Sequence, residues 1–161
     1  MQLSKTQKIW LGILFVLYLA ILIFVLFFSP EFGRTQGNVH GLNLVPFREI
    51  KRFYKGTESL SNSLFWRNVV GNIIAFFPMG LLVALLAPKR PYCVFALAIV
   101  YLSCAVAEIL QYVFNVGSFD IDDVILNTLG GFIGILVSIP VRRLLVNQNG
   151  GKKKQSHKKK R

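Results

Sequence analysis

The sequence predicts an all-α integral membrane protein, a bundle of four transmembrane helices. Of its 161 residues, 53% are hydrophobic and only 7 are acidic, a composition typical of membrane proteins. Four apolar segments reach the roughly 20 residues that a helix needs to cross about 30 Å of hydrocarbon. Basic residues cluster in the short connections on one side of these segments. The predicted helices span about residues 9–28, 69–87, 92–113 and 124–141.

The first predicted helix follows Lys5 and Lys8, as a secretory signal would. Its apolar run is longer than the roughly 7–15 residues of a signal peptide's hydrophobic region, and no A-x-A-like cleavage site follows it. The segment is therefore predicted to stay in the protein as a membrane anchor.

Basic residues predict the orientation. Lys89 and Arg90 fill the connection between the second and third helices, whereas the turn at 115–123 has no Lys or Arg. The positive-inside rule then predicts that both termini lie in the cytoplasm. The predicted outer loop, residues 29–67, conflicts in part with this orientation because it carries six basic residues, namely Arg34, Arg48, Lys51, Arg52, Lys55 and Arg67.

Polar residues of the last three helices lie near the predicted outer end, and the inner halves are apolar. A channel or proton relay requires a continuous polar path across the membrane, so this class of function is excluded. A polar pocket that opens only outward is predicted instead. Its helical residues are Asn68 and Asn72 in the second helix, Glu108 and Gln111 in the third, and Asp123 and Asn127 in the fourth.

Structural roles compete with this pocket. Asp120, with Asp123 three residues later, resembles an N-cap and first-turn pair, and Asp122 also suits the positive end of a helix dipole. Asn72 and Asn127 could join two helices through hydrogen bonds. Gly130 and Gly134 form a small-xxx-small pattern that is typical of helix packing.

Glu108 is the strongest candidate for a functional residue. Counted from Asn115 at 1.5 Å per residue, it lies about 10 Å below the outer end of its helix. An ionisable group at that depth is costly unless it is paired, and it marks a functional site by default. With Asp120 and Asp123, Glu108 could bind a divalent cation, since hard cations prefer oxygen ligands.

The outer loop contains a candidate amphipathic helix that begins near Pro46. The pattern predicts that this helix lies on the membrane surface and binds an anionic lipid or polymer; a solvated charged loop is the alternative. Its apolar residues are Phe47, Ile50, Phe53 and Tyr54, and its basic residues are Arg48, Lys51, Arg52 and Lys55.

The last segment, residues 144–161, is rich in lysine and contains no aromatic residue. This composition predicts a disordered cytoplasmic tail held near anionic lipid. Nucleic acid is not a predicted partner, because no aromatic side chain is present to stack on a base. The membrane domain is accordingly assigned to residues 1–143.

Four motifs resemble the VanZ-like family of bacterial membrane proteins: "LNLVPF" (42–47), "NVVGNIIAFFPMG" (68–80), "EILQ" (108–111) and "FDIDDVILNTLGG" (119–131). The resemblance implies a multi-helix protein of the bacterial cytoplasmic membrane, associated with resistance to teicoplanin, a lipidated glycopeptide antibiotic. Many members have an arginine before the aspartates, where this chain has Gly117 and Ser118. The family positions carried over are Asn43, Pro46, Phe47, Asn68, Asn72, Phe76, Pro78, Glu108, Gln111, Asp120, Asp122, Asp123 and Asn127.

Two functions remain open at this stage. One is a non-enzymatic protein that binds an anionic envelope component or lipid, favoured because no nucleophile and base are recognisable. The other is a small metal-dependent enzyme that acts on a lipid-linked phosphate or glycan, such as a cell-wall precursor. No cofactor beyond a possible divalent cation is predicted. The candidate pocket residues are Asn43, Arg48, Asn68, Asn72, Glu108, Gln111, Asp120, Asp122, Asp123 and Asn127.

Overall fold

The computed structural model describes residues 3–29, 41–48, 50–51, 66–87 and 91–158, and their side chains except that of Arg67 and those after Asn147. Four α-helices and one two-stranded parallel pair make up these residues. A π-helical turn, Trp66–Val70, leads into the second helix. The elements are α1 (Lys5–Phe28), β1 (Leu42–Asn43), α2 (Gly71–Leu86), α3 (Tyr92–Val113), β2 (Phe119–Asp120) and α4 (Ile121–Lys158).

The helical fold class is confirmed. In the described part of the chain, four helices are long and apolar enough to cross a membrane, with spans Lys5–Phe28, Asn68–Leu86, Tyr92–Val113 and Ile121–Asn147. The third span has the predicted bounds. The first begins earlier because Ser4 and Gln7 form a reciprocal capping box, in which each side chain accepts the other's backbone amide.

The last helix differs from the sequence prediction. α4 continues to Lys158, where a disordered tail is predicted from residue 144 onward. Lysine and glutamine are good helix formers, and extending an existing helix fixes only one residue for each new hydrogen bond.

One end of the bundle, here called the basic end, joins all four helices. Gln7 Nε2 donates to the carbonyl of Leu145 at 3.1 Å, which ties the start of α1 to α4. Arg142 donates to the Ala87 carbonyl at 2.6 Å and lies 4.6 Å from the Tyr92 ring centroid, which ties α4 to the end of α2 and the start of α3. Which side of the membrane this end faces stays a prediction.

Glycine allows α2 and α4 to pack backbone to backbone. A Cβ atom on Gly130 would overlap the carbonyl oxygen of Ile73, and one on Gly134 would overlap that of Phe77. The packing role considered for these two glycines is therefore confirmed. This contact sets the distance between the helices that carry Asn72 and Asp123.

α1 is attached more loosely than the other helices. Only Leu22 and Leu26 are buried within it, and most of its large apolar side chains are exposed, as expected of a helix that faces lipid. Its Tyr18 hydroxyl donates to the Ala75 carbonyl in α2 at 2.7 Å. The buried residues of α1 and its Tyr18 hydrogen bond therefore lie in the C-terminal half of the helix.

Replacing Gly130 with alanine is expected to push α2 and α4 apart, because the new Cβ meets backbone that cannot rotate away. Overpacking of this kind costs about 1–3 kcal/mol, so the thermal unfolding midpoint in detergent should fall. Gly12→Ala is the matched control, since no atom outside its own stretch of helix lies within 4 Å of the added Cβ. Equal midpoints for the two variants would contradict the close contact.

Candidate functional site at the acidic end of the bundle

The opposite end of the bundle, here called the acidic end, is formed by the start of α2, the end of α3 and the start of α4. A loop segment is bound to it through the two short strands. Leu42 pairs with Phe119 and Asn43 with Asp120 in parallel register, and the Phe119 amide donates to the Gly41 carbonyl at 3.1 Å. We call residues 41–51 the strap; within it, Glu49 lies outside the described residues.

Asp122 holds the second half of the strap. Its carboxylate is 1% exposed; one oxygen accepts the Phe47 amide and the other accepts the Ile50 amide at 3.4 Å. Phe47 has a φ of 64°, a left-handed conformation that reverses the chain here. The strap then turns helically, with the Lys51 amide donating to the Phe47 carbonyl at 3.1 Å.

Asp120 is the centre of the hydrogen-bond network. Its Oδ1 accepts from Asn43 Nδ2 at 2.9 Å and from the Asp122 amide at 2.9 Å. The second of these bonds is an N-cap on α4, so the capping role considered for Asp120 is confirmed. The Asp120 amide in turn donates to Glu108 Oε2 at 3.2 Å, which connects α3 to the strap through one residue.

Two further hydrogen bonds connect α1 and α2 to the acidic end. Asn72 Nδ2 donates to Asp123 Oδ1 at 2.6 Å, joining α2 to α4. Gln111 Nε2 donates to the Leu26 carbonyl near the end of α1 at 2.9 Å. The sequence prediction that Asn72 joins two helices is therefore correct, although its partner is Asp123 and not Asn127.

Two buried side-chain amide oxygens at the acidic end have no hydrogen-bond partner among the described residues. Gln111 and Asn127 are fully or almost fully buried, and the structure gives no hydrogen-bond partner to Gln111 Oε1 or Asn127 Oδ1 within the described residues. An unsatisfied buried acceptor costs about 1–3 kcal/mol. Both side chains belong to the acidic end, so this region has acceptor capacity that the described residues do not use.

The ten predicted site residues divide by their contacts. Asn43, Glu108, Asp120 and Asp122 form the strap network, and Asn72 pairs with Asp123, the residue after Asp122. Asn68 is half-buried in the π-helical turn, and Arg48 is exposed on the strap. Gln111 and Asn127 are the buried amides described above. Sequence reasoning missed the amides of Phe47 and Ile50, because a backbone group leaves no mark in the sequence.

The carboxylates do not converge as a metal site would require. Among the residues that the structure describes, no three His, Cys, Asp or Glu side chains form a group that could bind a metal ion. Of the candidate ligands, Glu108 accepts the Asp120 amide, Asp120 accepts Asn43, and Asp123 accepts Asn72. In each of these contacts the carboxylate accepts a hydrogen bond from an amide group of the protein itself.

The surface of the acidic end has the opposite charge to its interior. Glu108, Asp120 and Asp122 are buried, while the strap residues Arg48 and Lys51 are exposed. An anionic ligand that approaches the described part of the strap therefore meets the guanidinium of Arg48 and the ammonium of Lys51 before the buried carboxylates of Glu108, Asp120 and Asp122. The part of the predicted amphipathic helix formed by Arg52, Phe53, Tyr54 and Lys55 lies outside the described residues.

A family model described as VanZ/LLP1 matches residues 15–144, which include the strap and all four membrane spans in whole or in part. Protein VanZ of Enterococcus faecium is 33% identical over 131 residues, which cover 76% of this chain and 69% of that protein. No solved structure matches this chain.

Removing the Asp122 carboxylate is expected to free the strap. Asp122→Ala takes away the acceptors of the Phe47 and Ile50 amides, and hydrogen bonds to charged groups are worth about 1.5–3 kcal/mol each. Hydrogen exchange of a strap peptide in nanodiscs should then become at least about tenfold faster, since 1.4 kcal/mol corresponds to a factor of ten. The control is Asp123→Ala, whose carboxylate accepts Asn72; unchanged exchange in Asp122→Ala would contradict the assignment.

The Asn72–Asp123 bond is expected to appear as a coupling energy. In a double-mutant cycle with alanine at each position, the two substitutions together should cost about 0.6–1.7 kcal/mol less than the sum of the single costs. The free energy of unfolding in bicelles is the quantity to measure. Asn72→Ala combined with Asn147→Ala, an exposed residue at the basic end, should be additive. Additivity in both cycles would show that the contact contributes nothing.

Proposed function

The chain belongs to the VanZ/LLP1 family, and from this we propose that it lowers the susceptibility of its host to teicoplanin and related lipoglycopeptides. We propose that it does so without catalysis, by binding an anionic lipid or envelope polymer at the acidic end. The proposed location is the bacterial cytoplasmic membrane, with the acidic end outside and both termini inside, as the positive-inside rule predicts.

The observation that carries the binding proposal is the position of the strap cations. Arg48 and Lys51 are exposed. The turn that presents them is fixed by hydrogen bonds from two backbone amides to the Asp122 carboxylate. Ordering a loop is part of the free-energy cost of binding, so a loop fixed beforehand binds more tightly. Each basic residue near an anionic surface contributes about 1 kcal/mol.

We propose lipidated glycopeptides as the antibiotic class because of the family and because the protein lies in the membrane. Teicoplanin carries a lipid chain, so the membrane surface is where it concentrates near its target. A protein that occupies anionic groups at that surface would reduce the amount of the lipidated drug retained there. Vancomycin, which lacks the lipid, should be unaffected.

The strap cations are expected to be required for protection. Wild type and an Arg48→Gln, Lys51→Gln double variant would be expressed in a teicoplanin-sensitive Gram-positive host at matched membrane levels. Losing two cations at about 1 kcal/mol each weakens binding by about 30-fold, so the variant should return teicoplanin susceptibility towards that of the empty host. Vancomycin susceptibility should be the same in all strains.

Lys8→Gln with Arg143→Gln is the matched control, because it removes the same charge from exposed positions at the basic end. This control should protect as wild type does. Full protection by the strap variant would contradict the role of Arg48 and Lys51. A wild-type protein that gives no protection would contradict the resistance function itself.

A further inference from the structure

The strap lies deeper than a surface loop should. Asp120 donates its amide to Glu108, which precedes the last residue of α3, Val113, by five positions, or about 8 Å along the helix axis. The Cβ of a helical residue tilts towards the helix N-terminus, which for α3 is the basic end. Asn43 pairs with Asp120, so the strap reaches the level of Glu108.

Apolar side chains continue above that level. Val113 and Phe114, at the end of α3, are both more than 60% exposed, and the apolar span of α3 extends to Val113. A helix that faces lipid with these residues has its hydrocarbon boundary near them. The strap at Asn43 therefore lies on the hydrocarbon side of the rim formed by the end of α3.

The side chains of the strap agree with this depth. Leu42, Leu44, Val45 and Phe47 are each 50% to 60% exposed, although exposed apolar clusters are rare in protein that faces water. Asn43 points the other way and binds Asp120. The polar side chain thus faces protein and the apolar ones face outward, an arrangement suited to lipid.

Several backbone amides of the strap find acceptors within the protein. Hydrocarbon offers no hydrogen-bond partners, so non-helical chain at membrane depth needs protein or water to satisfy its backbone groups. The Val45 amide donates to Asn43 Oδ1 at 3.3 Å, and the Phe47 and Ile50 amides donate to Asp122. The Arg48 amide donates to the Val45 carbonyl at 3.3 Å.

We propose that residues 42–47 are a re-entrant segment whose exposed side chains contact the acyl chains of the leaflet at the acidic end. The exposed Arg48 and Lys51 follow directly, and long basic side chains reach from an apolar region to the head groups. The strap then presents one amphipathic surface to a single lipid molecule: aliphatic side chains for its tail and cations for its phosphate. This differs from the amphipathic helix on the membrane surface that the sequence predicts.

The depth of the strap can be measured with a single tryptophan. Trp10 and Trp66 are exposed and can be replaced by phenylalanine, after which Leu44→Trp or Val45→Trp places the reporter on the strap. Both positions are exposed, so neither substitution disturbs packing. Quenching is measured in liposomes with lipids brominated near the top of the acyl chain and with aqueous iodide on both sides of the bilayer.

Ile109→Trp and Asn147→Trp supply the two reference values. Ile109 is half exposed and adjacent to Glu108, so it reports lipid at the proposed depth, and exposed Asn147 ends the membrane span of α4. Both strap reporters should match Ile109→Trp, with strong quenching by brominated lipid and weak quenching by iodide. Iodide quenching equal to that of Asn147→Trp would overturn the proposal. Antibiotic is absent from this experiment, so its result is independent of the resistance function.

Discussion

Backbone amides removed from water must find an acceptor within the protein. At the acidic end, carboxylates are the acceptors of several of these amides. Helices satisfy their own amides along most of the chain, but residues 42–47 of the strap and the turn between α3 and α4 are not helical. Glu108, Asp120 and Asp122 each accept one or more backbone amides there. Charge that looks out of place in an apolar sequence is thus explained by the irregular backbone beside it.

The choice of aspartate over asparagine has a simple basis. An ionised carboxylate only accepts hydrogen bonds, whereas an amide side chain offers one accepting and one donating atom. Asp122 uses both oxygens on two different amides, and asparagine would present a donor to one of them. Where one acceptor and one donor are needed, the chain has asparagine: Asn43 accepts the Val45 amide and donates to Asp120.

The sequence predicts the parts of this structure that depend on local pattern. The helical segments follow from apolar runs, the Asp120 cap from its place before a helix, and the packing of Gly130 and Gly134 from their spacing. The strand pair was not predictable, because two residues of extended chain have no periodicity and their partners lie far apart in sequence. The partners of Glu108 and Asp122 were also hidden: the sequence suggested a pocket or a metal, and in the structure both carboxylates accept backbone amides.

The pairing of Asn43 with Asp120 also fixes the order in which the protein can be completed. The two residues are 77 positions apart, and the strap leaves the ribosome before α2, α3 and the start of α4 exist. At about 5–20 residues per second, it waits about 4–15 s for its partner. Until then its apolar side chains and open amides are available to chaperones, proteases and the insertion machinery. Closure of the strap is therefore a late step of biogenesis that requires the whole bundle.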